Sequence, residues 1–404
     1  MVNNFSFYLI IDKIEMKFWD VHKYIRGSVG RAYKSTNVQF AGRFDDALKC
    51  INIKLANRFS IKNIFEDIMQ QNLKIFIFLI IQIVALFSCS KKQEVIIYVA
   101  HDQIYSEPIL KEFEQKTGIK VKALYDTEAT KTVGLVNRLI SEKDNPQCDV
   151  FWNNEIIRTI VLKNKGILDP YRSPSTEDIP EMFQDKDGTW TGFAARARVI
   201  IYNTTLVNEA DVPRSILDLT DSKWNGKFAV TNPLFGTYSA QCAALFELWG
   251  DEKAKEYFAK LKENNAIIVD GNSVVKDRVA SGEIPVGLTD TDDANIAILD
   301  GYPVKIIYPD QEGMGTFVFP NTVSLIKGAG NPENGRKLID YILTKEVEGK
   351  LAFSHSAQMP IRADVNKPEN VRDYKSIVTM KVDFEKVAER IESTGRFLQE
   401  VFIR

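Results

Sequence analysis

From residue 94 onward, apolar positions alternate between a strand rhythm and a helix rhythm. Residues 95–100 (VIIYVA) form a short β-rich apolar run. Ser106, Glu107 and Pro108 then read as a helix start, Ser as cap and Pro in the first turn, with Ile109, Leu110 and Phe113 as the apolar stripe and Gly118 as the stop. A strand at 120–125, a helix over about 132–141, a strand at 149–152 and a helix from 155 to 166 follow. A second passage opens near Trp190 with a long strand, 193–202 (FAARARVIIY), and a loop with a short helix over 212–226. Strands are predicted at 228–231, 267–269, 285–289 and 303–308, and helices over about 237–249, 251–264, 274–280 and 292–299. The segment 316–326 (TFVFPNTVSLI) leads to helices near 333–343, 345–353 and the C-terminus. This order predicts an α/β fold whose sheets are open, mostly parallel and flanked by helices. The long crossing segments, 190–202 and 309–326, predict two lobes joined by a hinge, with a ligand held between them at the strand ends.

Ahead of this alternation lies a different pattern. Residues 75–87 (IFIFLIIQIVALF) are apolar except for Gln82, with Lys74 before them and Ser88-Cys89 after. The run is short for a membrane-spanning helix but suits a signal peptide. With the cysteine that follows, it resembles a bacterial lipoprotein signal, which implies lipid modification at Cys89. The expected organisation is therefore a signal peptide over 69–88 and an anchored linker over 89–93. Residues 1–68 are unassigned, or an upstream extension from a start placed ahead of Met69. The first lobe takes 94–195 and about 317–370, and the second takes 196–316. Residues 371–404 form a helical segment that the sequence does not assign to either lobe.

Composition narrows the chemistry. Residues 1–88 carry 12 Lys and Arg against 7 Asp and Glu, which leaves 40 against 47 for the rest of the chain. An acidic body of this kind argues against a nucleic-acid partner. The three histidines, His22, His101 and His355, stand in no zinc-type spacing. Cys148 and Cys242 are too few for a disulfide framework and read as buried free thiols. No GxSxG, P-loop or GxGxxG occurs, and Cys148 has no evident histidine partner, so no catalytic pair supports an enzyme.

The ordered segments VIIYVAHDQ, EFEQKTGIKVKALYDTEATKTVGLVNRL, CDVFWNNE, GILDPY, WTGFAARARVIIYNT, DLTDSKWNGKFAV, NPLFGTYSA, SGEIPVGLTDTDDA and PNTVSLIKGAGNPENGRKLIDYIL resemble a bacterial ABC-importer solute-binding protein. They are most similar to the ferric-iron-binding subfamily of type II periplasmic binding proteins, over about residues 94–360. The resemblance implies a two-lobed fold, ABC permease and ATPase partners, a monomer, and an extracytoplasmic location with a lipid anchor. It also implies ferric iron or another hard metal ion as cargo, held with phosphate or carbonate, and no catalytic cofactor. It places the family's glutamate at Glu155 and its first-strand ligand at Asp102, beside His101. The family's tyrosine pair falls in LTDTDDA, where no tyrosine stands.

The residues allow two readings of the site. Asp102, Glu128, Glu155, Asp290, Asp292 and Asp293 lie near strand ends, and oxygen donors suit a hard cation, so Asp102, Glu155, Asp290 and Asp292 are metal candidates. Each is equally a natural helix cap or first-turn acid. Thr127 and Thr130 enter one helix, and Gly236, Thr237 and Tyr238 enter another. Helix N-termini bind anions, and Arg196 can pair with one bidentately, so these six residues are the anion candidates. A small organic anion, such as a phosphonate or carboxylate, is the alternative cargo, and a lipoprotein sensor or enzyme on the same fold is a further alternative. Arg196 and Arg198 share one strand face, which is also the pattern of a solvated face.

Overall fold

The structure, a computed structural model, describes residues 69–78, 93–126 and 132–403. The chain divides into two compact units, 1–90 and 91–404. In the first, 69–78 is helical, with Met69, Leu73 and Ile75 to Phe78 exposed. Among the described residues no helix is long and apolar enough to cross a membrane. Cys89, most of the apolar run, Thr127, Glu128 and Thr130 lie outside the described residues.

Among the described residues the second unit holds ten strands: β1 (Glu94–Val99), β2 (Lys120–Tyr125), β3 (Val150–Asn153), β4 (Leu168–Asp169), β5 (Thr191–Asn203), β6 (Phe228–Thr231), β7 (Ile267–Val269), β8 (Val286–Asp290), β9 (Val304–Ile307) and β10 (Val318–Ile326). Ten helices accompany them: α1 (Gln103–Thr117), α2 (Val133–Ser141), α3 (Ile156–Asn164), α4 (Gly236–Trp249), α5 (Asp251–Glu263), α6 (Asn272–Ala280), α7 (Thr291–Leu299), α8 (Pro332–Ile342), α9 (Lys345–Phe353) and α10 (Phe384–Phe402). The strands run β2-β1-β3-β10-β5-β8-β6-β7, with β4 beside β10 and β9 beside β5. The outer members pair in parallel, β1 with β2 and β3, and β6 with β7 and β8. β10 and β5 run antiparallel to their neighbours, so the parallel order expected from the sequence holds on each side of the crossing strands but not through them.

β5 makes the crossing. Up to Ala197 it pairs with β10, from Arg198 with β8 and from Ile200 also with β9. All thirteen of its residues are buried. A strand covered on both faces reads as one apolar run, and inward polar residues on it must find partners. The expectation of a solvated Arg196 and Arg198 fails for this reason: they are 3% and 0% exposed.

α1 begins one turn earlier than expected. Asp102 is its N-cap and Pro108 lies inside it. Pro108 costs one backbone bond, while Ile109, Leu110 and Phe113 bury against the sheet and Gly118, at φ 71°, closes the helix as expected. α10 contributes Val387, Ala388, Ile391 and Leu398 to one apolar cluster with Ile156, Ile157 and Ile160 of α3 and Phe246 and Phe258 of α4 and α5. Its charged side pairs both ways, Glu385 with Lys163 of α3 at 2.9 Å and Arg390 with Asp251 of α5 at 2.7 Å. The expected free thiols, Cys148 and Cys242, are both buried.

Gly287 lets α6 approach β8. A Cβ there would lie 2.3 Å from Val275 Cγ1 and 3.1 Å from Val279 Cγ2. Gly287→Ala should therefore cost about 1–3 kcal/mol of stability through overpacking, read from urea denaturation followed by circular dichroism.

Candidate functional site

The ends of β3, β5 and β8 and the starts of α3, α4 and α7 bring charged side chains together. Arg198 is saturated. Its Nη1 donates to Asp290 Oδ1 and Asn272 Oδ1 at 2.7 Å each, its Nε to Gln241 Oε1 at 3.1 Å and its Nη2 to Leu288 O at 3.1 Å. Its guanidinium lies 5.3 Å from the centre of the Tyr238 ring, which makes Tyr238 an aromatic wall. Burial holds the Tyr238 phenol well above its ordinary pKa.

Asp290 is equally committed. Beyond Arg198, its Oδ2 accepts from Thr237 Oγ1 at 2.6 Å and from Asn272 Nδ2 at 2.9 Å. Both oxygens are thus spent inside the fold. Thr237, expected at an anion site, donates to a carboxylate here. Gly236 opens α4 at φ 57°, a conformation that favours glycine.

Arg196 reaches both ways. Its Nη1 pairs with Asp292 Oδ2 at 2.8 Å, and its Nη2 donates to the Asn154 carbonyl at the end of β3. Its ring neighbour is Phe319, 5.0 Å away. Burial opposes its charge, but Asp292 and Asp290 outweigh that and hold its pKa above the usual arginine value. Two buried groups in this pair have no hydrogen-bond partner, Asp292 Oδ1 and Arg196 Nε. An orphaned carboxylate oxygen and an orphaned guanidinium N–H within one ion pair carry a desolvation penalty that a ligand would relieve.

Asp290, Asp292 and Asp293 form, among the described residues, the one trio of potential metal-binding side chains whose ligand atoms lie within 4.8 Å of one another. Asp102, the N-cap of α1, is near enough for its charge to act on Arg196. It and Asp292, Asp293 and Asp300 add to burial in pushing the half-buried Tyr105 phenol up to about 12. Tyr105 stacks on His101 at 6.2 Å, and His101 stacks on Trp152 at 5.4 Å.

Glu155 has a different task from the one expected. It is the N-cap of α3, and its oxygens accept from Ile157 N at 2.6 Å and Arg158 N at 2.9 Å. Burial pushes its carboxyl above the ordinary glutamate range, against the pull of Arg158, those two N–H donors and Arg196. With a raised native pKa, the folded state binds the extra proton between the ordinary glutamate value and the raised one. Stability should therefore fall as pH rises through that window and level off above it. Glu155→Gln should remove this slope and cost about 1 kcal/mol through the lost cap bond, measured by urea unfolding from about pH 4 to about pH 8.

The sequence reading missed Arg158, Asn272 and Gln241. Arg158 Nη2 reaches Leu234 O and Ser239 Oγ at the mouth of α4, 3.3 Å each. Its position three residues after the Glu155 cap was the only available signal. Asn272 and Gln241 lie on helices whose pattern carried no chemical cue.

The family model for bacterial extracellular solute-binding proteins matches residues 160–386, more than half of the chain. The chain belongs to this family. Iron uptake protein A1 of Synechocystis sp. is 26% identical to this solute-binding protein over 322 residues, 77% of this chain and 87% of that one. A protein of Salmonella typhimurium, provisionally named a 2-aminoethylphosphonate-binding periplasmic protein, is 27% identical over 260 residues, 63% of this chain and 73% of that one. The solved ferric binding protein of Campylobacter jejuni superposes with a TM-score of 0.70 at 25% identity, covering 77% of this chain and all of that one. The fold is thus the two-lobed one of periplasmic binding proteins, and the family's role is to bind a solute outside the cytoplasm rather than to transform one.

Proposed function

We propose that this solute-binding protein captures ferric iron, or a comparably hard cation, together with an anion, and delivers it to the permease and ATPase of an ABC importer. The observation that carries this reading is the orphaned Asp292 Oδ1, a buried carboxylate oxygen with no donor in its reach, in a trio of aspartates with Asp290 and Asp293. Oxygen donors of this kind suit a hard ion. Asp292 and Asp293 are the carboxylates on which the reading chiefly rests, and we add Asp102, whose charge acts on Arg196. Asp290 and Glu155 support the site from behind. The names of the Synechocystis and Campylobacter relatives favour the same cargo. We further propose a monomer anchored by lipid at Cys89. The two lobes would then follow the crossing strands, 94–195 with about 317–370, and 196–316.

A second reading has its own observation. Arg196 Nε is a buried donor without an acceptor, and one relative carries the name of an aminophosphonate binder. A zwitterion of that class would place its ammonium against Asp292 and its phosphonate against Arg196. Calorimetric titration of the protein with ferric citrate and, separately, with 2-aminoethylphosphonate decides between them. Saturable binding of ferric citrate alone supports the metal reading. Binding of the aminophosphonate alone overturns it in favour of the second.

A further inference from the structure

Beside Trp152, on which His101 stacks, runs a buried chain of polar side chains that no part of the metal or anion reading uses. Asn321 Nδ2 lies 2.6 Å from Ala194 O and 3.4 Å from Phe193 O. A backbone carbonyl only accepts, so this end of Asn321 is its NH2 group. The same nitrogen lies 2.7 Å from the Gln358 side chain, which must therefore present its oxygen. The other end of Gln358 is then its NH2 group, and it faces His101 Nε2 at 3.2 Å. A nitrogen that faces an NH2 group has to accept. The amide orientations follow from the two carbonyls at the start of the chain and not from the choice of labels.

We propose that Asn321 and Gln358 are positioning residues that hold His101 as its neutral Nδ1–H tautomer, with its Nε2 closed to a metal. His101, Gln358 and Asn321 are 2%, 0% and 0% exposed, so water does not compete for these bonds. The relay ends on Ala194, a non-glycine residue at φ 43°, two residues before Arg196 on the same strand. It joins the histidine beside Asp102 to the strand that carries both arginines. With Nε2 spent on Gln358, His101 lies outside the metal's ligand set. This consequence rests on the proposed function, but the tautomer itself does not.

The test uses the full chain with His22→Gln and His355→Gln, so that His101 is the only histidine, labelled with nitrogen-15. Long-range proton–nitrogen NMR should show a pyrrole-type Nδ1 and a pyridine-type Nε2, the reverse of the form that free histidine favours in water. A protonated Nε2 overturns the proposal. Gln358→Met keeps the volume and removes the donor without adding a charge, so the proton should move toward Nε2, the form free histidine favours. If Nδ1–H persists in that variant, Gln358 does not set the tautomer and the proposal fails. Gallium citrate, a diamagnetic stand-in for ferric citrate, is then titrated into the same samples. Binding with Nε2 unmoved supports the assignment, and a coordination shift at Nε2 overturns it. No gallium binding at all would count against the metal reading of the site and leave the tautomer result standing.

Discussion

Asp290→Ala should destabilise the protein by about 3–5 kcal/mol, the cost of leaving a buried charge without its partner. Arg198 is 0% exposed and pairs with Asp290 at 2.7 Å, so its guanidinium would keep its charge in a dry interior among neutral groups, Asn272, Gln241, Thr237, a carbonyl and the Tyr238 ring. Urea denaturation measures the loss. The companion double variant, Arg198→Met with Asp290→Leu, removes both charges and should recover most of the stability, because paired charges of this kind are replaceable by apolar volume. A midpoint for Asp290→Ala equal to that of the unsubstituted protein would show that Asp290 is not needed to neutralise Arg198.

The largest effect on binding is expected at Asp292. Asp292→Asn keeps an acceptor for Arg196 but removes the charge and the second carboxylate oxygen. Ferric citrate affinity should fall by about 100-fold or more, beyond the 10–100-fold typical of groups that only support a metal ligand. The urea midpoint should fall as well, though less than for Asp290→Ala, because Arg196 keeps a hydrogen-bond acceptor and lies 3.7 Å from Asp290. Arg196→Lys tests the other half of the pair. Its single ammonium does not reproduce the fork that spans Asp292 and the Asn154 carbonyl, so a phosphonate should lose more affinity than the metal does. If Asp292→Asn binds ferric citrate as tightly as the unsubstituted chain, Asp292 does not hold the metal. The orphaned oxygen then belongs to some other solute.

The alternation of strands and helices was readable because each element obeys one period. The run 120–125 was expected as a strand and is β2, and the apolar stripe of α1 buries where the pattern places it. Two features broke the rules used to read them. Leu168–Asp169 pairs with β10 but is too short to show any period. β5 is buried on both faces, so the alternation of its two arginines said nothing about exposure. At the site, the sequence named Asp290, Asp292, Glu155 and Arg196 without showing how they divide the work. Which carboxylate is spent on an arginine, which on a helix end and which is left with an orphaned oxygen depends on residues far along the chain, such as Asn272 and Thr237. No local pattern encodes those meetings.

The closing helix has a consequence for how this protein tolerates change at its end. α10 is a shared floor, laid under α3 on one side of the crossing strands and under α4 and α5 on the other. Trimming the chain ahead of Phe384 would not remove a loose tail. It would uncover Ile156 and Phe258 together and leave the two halves joined mainly by β5 and β10, so their relative position would be set by two strands where three elements set it now.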